Sequence, residues 1–404
     1  MSAPTDPTPS RGVTALPPGT RLIHIGPHKT GTTALQSAFH ANRVELARQS
    51  VHYAGQGQQP AEAVIAVNQR RPMRGERQTG MRAWTQLVNE IGDAGPRRVF
   101  LSSEFFTDSD EASIRRIIGD IDHPSTHVLV TLRSLWRIAP SQWQQYVQNG
   151  HRATFETWLD GLLNKPPYTW PSPSFWNRHC HGDLIARWAD VVGRDRMTVV
   201  VVDESDPTML MRTVEQLLDL EPGTLVPQSD RANRSLTWPE ADLLRRLNRI
   251  HDKLGWPDAT YAELVRRGAV REIKSHESPT GQPRVAIPTW AHDALERRAL
   301  DSVASIGSSG VRVIGDLDAL THPLVHDRPS AHQLRIPSDV AAHAVIGVVR
   351  ASGDVPDRQS PRLGQAPLRS LVAAVVTRLA ERLRVRATAG AAHLVHHRFG
   401  GRSR

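Results

Sequence analysis

One segment of fifteen residues constrains the fold more than any other: Leu22-Ile23-His24-Ile25-Gly26-Pro27-His28-Lys29-Thr30-Gly31-Thr32-Thr33-Ala34-Leu35-Gln36. A short apolar run with strand character enters a tight loop and leaves as a stretch of helical period. That is phosphate-loop architecture, one half of a β-α-β unit, and it predicts an α/β chain with a mainly parallel sheet flanked by helices. The first turn of a helix leaves N–H groups unpaired and carries the positive end of the helix dipole, which suits an anion. Gly31 lets the backbone approach that anion closely, Lys29 adds a mobile charge, and Thr30, Thr32 and Thr33 add hydroxyl donors.

The rest of the chain repeats the pattern. Candidate strands are Leu22 to Gly26, Val99 to Ser102, His127 to Leu132 and Thr198 to Val202. Helices are expected at Thr32 to Arg48, Met81 to Ile91, Ser113 to Ile121, Ile138 to Gln148 and Leu184 to Val192, and Thr237 with Glu240 fits a capping box that opens another. Residues 1–20 hold five prolines and no apolar h-region, so they read as a disordered leader and not a secretory signal. Residues 21–319 read as the α/β domain, 320–366 as a linker and 367–404 as a basic helical tail.

Composition sharpens this. Of 50 basic residues only four are lysines, and Lys29 is the first, with none following until Lys165. A lysine kept in an arginine-rich chain points to a need for a compact ammonium that follows a moving charge. The net charge of +9 suggests a nucleic-acid partner until it is located: residues 361–404 hold nine Arg and one Glu, leaving 41 basic against 40 acidic residues before them. No specific nucleic-acid binding is expected of so balanced a body. A single cysteine, Cys180, excludes an intramolecular disulfide framework and cysteine-cluster metal sites, and suits a reducing cytoplasm.

Two further strand ends carry chemistry. Val128-Leu129-Val130-Thr131-Leu132 ends in Arg133, with Ser141 eight residues on in the helix expected over Ile138 to Gln148. An arginine there offers a bidentate fork and a serine a hydroxyl, both suited to a phosphate. Val99-Phe100-Leu101-Ser102-Ser103 ends in the carboxylate of Glu104.

The Lys-Thr-Gly-Thr-Thr loop, followed by an Arg at a strand end and a Ser on the next helix, resembles the sulfotransferases that use 3′-phosphoadenosine 5′-phosphosulfate (PAPS), most closely the bacterial members with their P-loop fold. The resemblance spans about residues 20–240. It implies that Lys29, Thr30, Gly31, Thr32 and Thr33 bind the 5′-phosphosulfate and that Arg133 and Ser141 hold the 3′-phosphate. In the cytosolic aryl enzymes the strand end matching Glu104 resembles Lys-Thr-His, with the histidine as general base. Glutamate bases are known in carbohydrate-acting branches, so Glu104 is expected in that role, with His28 in reserve. Asn233-Arg234-Ser235-Leu236 resembles a polar loop of the bacterial members and makes Arg234 a further candidate for the cofactor. The reaction implied moves a sulfuryl group in line from PAPS to a hydroxyl or amine of a small-molecule or carbohydrate acceptor, with no metal required.

Two other readings remain. Val199-Val200-Val201-Val202-Asp203-Glu204 looks like the strand and acidic pair of a magnesium-dependent P-loop ATPase or kinase, although the order at Lys29 differs from a Gly-Lys-Ser/Thr ending. A catalytically silent protein that binds the bisphosphate product is the other. Ten of the 21 aromatic residues lie between Trp136 and Trp188 and could line an acceptor cleft or simply pack helices on the sheet. The stretch Leu368 to Arg386 is basic and amphipathic, suited to an anionic membrane, a partner or docking on the domain.

Overall fold

The computed structural model describes residues 13–69, 80–227, 234–278, 281–323 and 336–353. The chain divides into two compact units, the first built from 1–145, 153–230 and 285–328 and the second from 146–152, 231–284 and 329–404. The single domain expected over 21–319 is thus interrupted by residues that belong to the second unit.

The first unit carries a six-stranded, wholly parallel sheet. Its strands are β1 (Arg21–His24), β2 (Val51–Tyr53), β3 (Arg98–Ser102), β4 (Thr126–Leu132), β5 (Met197–Val201) and β6 (Arg312–Ile314), in the order β2-β3-β1-β4-β5-β6. All residues of β1, β4 and β5 are buried, as strands covered on both faces must be. Side-chain alternation builds two cores. Ile23, Leu101, Val128 and Val130 face one way, onto Trp84, Ile114 and Trp188. Leu22, Phe100, Leu129 and Val200 face the other, onto Leu35, Phe39 and Val214.

The connections place the site. From β1 the chain moves to β2 and β3 on one side, then crosses to β4 on the other, so β1 is the point where the order reverses. A crevice opens outside the carboxyl ends of strands at such a point. The segments that follow β3, β1 and β4 are those of Glu104, Lys29 and Arg133, brought side by side by adjacency in the sheet.

Part of the expected leader is ordered: Leu16 is buried and its N–H donates to Leu217 O at 2.9 Å. Its apolar side chain joins the Phe39 core, which outweighs the local proline content.

The second unit is helical. Helix Trp238–Leu254 opens with the full Thr237/Glu240 capping box and ends at Gly255, whose φ of 61° terminates it. Asn248 on that helix donates to Val147 O at 2.7 Å and His151 O at 2.8 Å, and accepts from the Tyr261 hydroxyl at 2.7 Å. Helix Ser338–Ala351 lies within the stretch read as linker. It buries Val340, Ala344 and Gly347, a spacing that puts all three on one face, and a Cβ on Gly268 would stand 2.7 Å from Gly347 O. Two glycines thus let the backbones of the Tyr261–Val270 and Ser338–Ala351 helices meet, a seam that scattered Pro, His and Arg concealed. The basic tail, 367–404, lies outside the described residues.

Candidate active site

The loop after β1 enters helix Thr32–Ala41 through Gly31, which has φ 94° and is exposed. Lys29 also has positive φ, 73°, a conformation that costs a side-chain-bearing residue on the order of 1 kcal/mol. Its ammonium donates to Gln145 Oε1 at 2.9 Å. Thr33 is exposed beside Gly31, where the first turn of the helix lacks internal acceptors. Thr30 and Thr32 differ from this: both are buried, Thr30 Oγ1 donates to Pro27 O at 2.7 Å, and Thr32 Oγ1 reaches Gly26 O at 3.4 Å. Their hydroxyls shape the loop. His28 is half-buried and meets Phe105 edge-on at 5.6 Å between ring centroids.

Arg133, at the end of β4, lies beside this loop and donates to Lys29 O at 3.4 Å. Its Nε is paired to Glu204 Oε1 at 2.7 Å, and the other Glu204 oxygen takes Arg137 at 2.5 Å. Asp203 accepts from the N–H and hydroxyl of Ser205. The acidic pair after β5 is therefore engaged with two guanidinium groups and its own turn. Ser141 lies on helix Leu135–Gln148 between Arg137 and Gln145 at four-residue spacing, so the three share one face. Since Gln145 receives Lys29 and Arg137 pairs with the partner of Arg133, that face borders the loop.

Glu104 opens a short 3₁₀ turn, Glu104–Asp108, capped by Ser103 Oγ, which accepts from Phe105 N–H. The far end of the turn is fixed by a buried two-bond pair between Asp108 and Arg178, at 2.6 and 2.8 Å. Each Glu104 oxygen accepts one amide, Gln36 Nε2 at Oε2 and Gln59 Nε2 at Oε1, both at 3.2 Å. Gln59 is itself oriented by the Ser103 hydroxyl at 3.1 Å. Beneath lies His24, fully buried between Ser102 Oγ at 2.8 Å and Thr131 Oγ1 at 3.1 Å, its pKa lowered to about 3 by burial.

The first unit thus gathers Lys29, Gly31, Thr33, Arg133, Ser141 and Glu104 around the carboxyl ends of three adjacent strands. Arg234 belongs to the second unit, where its guanidinium donates to Glu240, at 2.7 and 2.9 Å, and to the carbonyls of Ile273 and His276. It ties down the capping box. Six of the ten aromatics of this set are core: Trp136, Trp143, Phe155, Trp158, Phe175 and Trp188 are buried, while Trp170 is 55% exposed and Trp176 carries the Arg298 guanidinium 4.0 Å from its ring centre.

Sequence reading missed Gln36, Gln59, Gln145, Arg137 and His24. A signal existed for three of them: Gln36 and Gln145 follow Thr32 and Ser141 by four residues, and His24 is a polar residue inside an apolar strand. Among the described residues, no group of three or more His, Cys, Asp or Glu is arranged to hold a metal, and no helix is long and apolar enough to cross a membrane.

No family model and no curated protein matches this chain. Among solved structures it is similar to the crystal structure of a sulfotransferase from Alicyclobacillus acidocaldarius, at 15% identity and a TM-score of 0.35, over 58% of this chain and 96% of that one.

Proposed function

We propose that this chain is a PAPS-dependent sulfotransferase acting on a hydroxyl or amine of a small-molecule or carbohydrate acceptor. The observation that carries the reading is the placement of a lysine-bearing loop, an arginine and a carboxylate on three neighbouring strand ends, β1, β4 and β3.

The donor set fits a nucleotide with phosphates at two positions. Lys29, Gly31, Thr33 and the helix start would hold the 5′ side through backbone N–H groups and one mobile charge. Arg133, with Nε on Glu204 and one further N–H on Lys29 O, keeps its remaining amino group for the 3′-phosphate, and Ser141 adds a hydroxyl. PAPS, when bound, supplies an activated sulfuryl group. Lys29 would follow the charge that accumulates at the leaving phosphate by turning from Gln145, since preorganised donors do most where charge develops. Glu104, oriented by two amides, would accept the acceptor proton at whichever oxygen faces the crevice. His28, next to the loop, is the second candidate for that proton.

Titration calorimetry with adenosine 3′,5′-bisphosphate tests the binding half of this reading. Binding without added metal, weakened at least about tenfold in Arg133→Ala as loss of a charged hydrogen bond requires, is expected. Unchanged affinity in a folded Arg133→Ala protein would remove the 3′-phosphate assignment.

A further inference from the structure

A buried series of hydrogen bonds runs from the loop to Glu104, and counting protons fixes its direction. Thr30 Oγ1 gives its one proton to Pro27 O at 2.7 Å, so at 2.8 Å it accepts from Thr131 Oγ1. Thr131, having given its proton, accepts from His24 Nε2 at 3.1 Å. In a neutral ring with Nε2 protonated, Nδ1 is the acceptor, and it receives Ser102 Oγ–H at 2.8 Å. Ser102 Oγ in turn accepts from Gln36 Nε2 at 3.3 Å, and the same amide donates to Glu104 Oε2 at 3.2 Å. With the opposite tautomer, Thr131 would need two protons.

His24, Thr30, Thr131 and Ser102 are fully buried, and Gln36 nearly so, which makes each bond costly to leave unmade. The backbone is cleared for the series at Gly26, where a Cβ would overlap Thr131 Oγ1 and stand 2.5 Å from His24 Nε2. Because burial keeps the ring neutral down to acid pH, His24 moves no proton in the working range.

We propose that His24 is a positioning residue, a bridge of fixed tautomer that holds the Thr30 loop and the Glu104 carboxylate in one register. Its consequence for catalysis rests on the functional reading of the loop and Glu104 given above; the bridge itself does not.

The test uses the full-length protein labelled with ¹⁵N at histidine and glutamine, with Thr131→Val removing one link and Thr131→Ser keeping it. The Nε2–H tautomer at His24 is expected, with no titration between about pH 8 and about pH 5. Thr131→Val should also move the Gln36 side-chain amide signal, three bonds further along, and Thr131→Ser should restore it. In transfer assays Thr131→Val should lower kcat about tenfold with KM changed less than about twofold, since small misplacements act on the reacting geometry, and Thr131→Ser should recover most of the rate. The Nδ1–H tautomer, or an effect of Thr131→Val confined to His24, overturns the bridge. An unchanged kcat with a lower melting temperature overturns the positioning role. If the wild-type protein transfers no sulfuryl group, the functional reading fails, and the spectra, which need no ligand, still decide the bridge.

Discussion

The ammonium of Lys29 rests on the amide oxygen of Gln145, 2.9 Å away, across from a residue more than a hundred positions later in the chain. The contact joins the loop after β1 to the helix after β4. A compact ammonium held there suits a group that tracks a moving charge.

Lys29 also sits at φ 73°, where a glycine is at ease and alanine is not. Lys29→Gly should therefore be more stable than Lys29→Ala by about 1 kcal/mol in denaturant titration, while both lose transfer. Lys29→Arg should fold and transfer poorly, because its planar fork cannot replace a compact ammonium. Near-normal single-turnover rates in the arginine variant would break the link between lysine and mechanism.

Glu104→Gln keeps the shape of the side chain and cannot accept a proton. It should bind the bisphosphate normally and transfer roughly 10²–10⁴-fold more slowly, the usual range for a general base. A surviving rate together with a lower melting temperature would make Glu104 a structural carboxylate and move attention to His28.

Glu204 holds both Arg133 and Arg137. Glu204→Gln should release part of that hold, so that bisphosphate binds more tightly, by about 1 kcal/mol or less for a half-exposed pair. Calorimetry on the two proteins gives the sign. Weaker binding in Glu204→Gln, or magnesium-dependent ATP hydrolysis that this change abolishes, would favour the ATPase or kinase alternative.

Buried histidines, among them His24, His127, His179 and His181, make the fold sensitive to mild acid. Burial lowers His24 to about 3 and His181 to about 4, and burial with Arg312 and Arg196 nearby lowers His127 to about 4. The unfolded chain takes up these protons below about pH 6.5, while the native state stays neutral until about pH 4. Stability is therefore full above about pH 6.5 and falls as pH drops, approaching ~1.4 kcal/mol per pH unit for each histidine. Melting temperature should decline between about pH 7 and about pH 5, before carboxylates protonate. A flat profile over that interval would show that these rings charge in the folded protein.

The central strands were legible because burial on both faces leaves an uninterrupted apolar run, and the observed ends of β1, β3, β4 and β5 lie within two residues of those expected. The edge strands were not: β2 and β6 are three residues each, too short for any pattern, and exist by pairing with a formed neighbour. The helix expected over Thr32 to Arg48 breaks at Asn42, whose side-chain amide turns back to Ala38 O at 2.9 Å. Lys29, Arg133 and Glu104 stood out because each follows an apolar strand. Gln59 did not, since an amide reaching across elements leaves no local spacing to read, and Glu204 stood out for a different reason, as half of an acidic pair and not as a partner of Arg133. Arg234, in a polar loop that resembles a cofactor contact, pairs with the capping-box carboxylate of Glu240, a partner six residues on that the loop motif does not announce.

The most direct test of the account is transfer itself. Full-length protein is incubated with PAPS, a chelator and a pool of cell metabolites, and products are read by mass spectrometry for a gain of one SO₃ unit. The expected result is a sulfated product that appears with wild type, needs no added metal, and disappears in Lys29→Ala. Tight bisphosphate binding with no product from a broad acceptor pool, or ATP turnover in place of sulfuryl transfer, would contradict it.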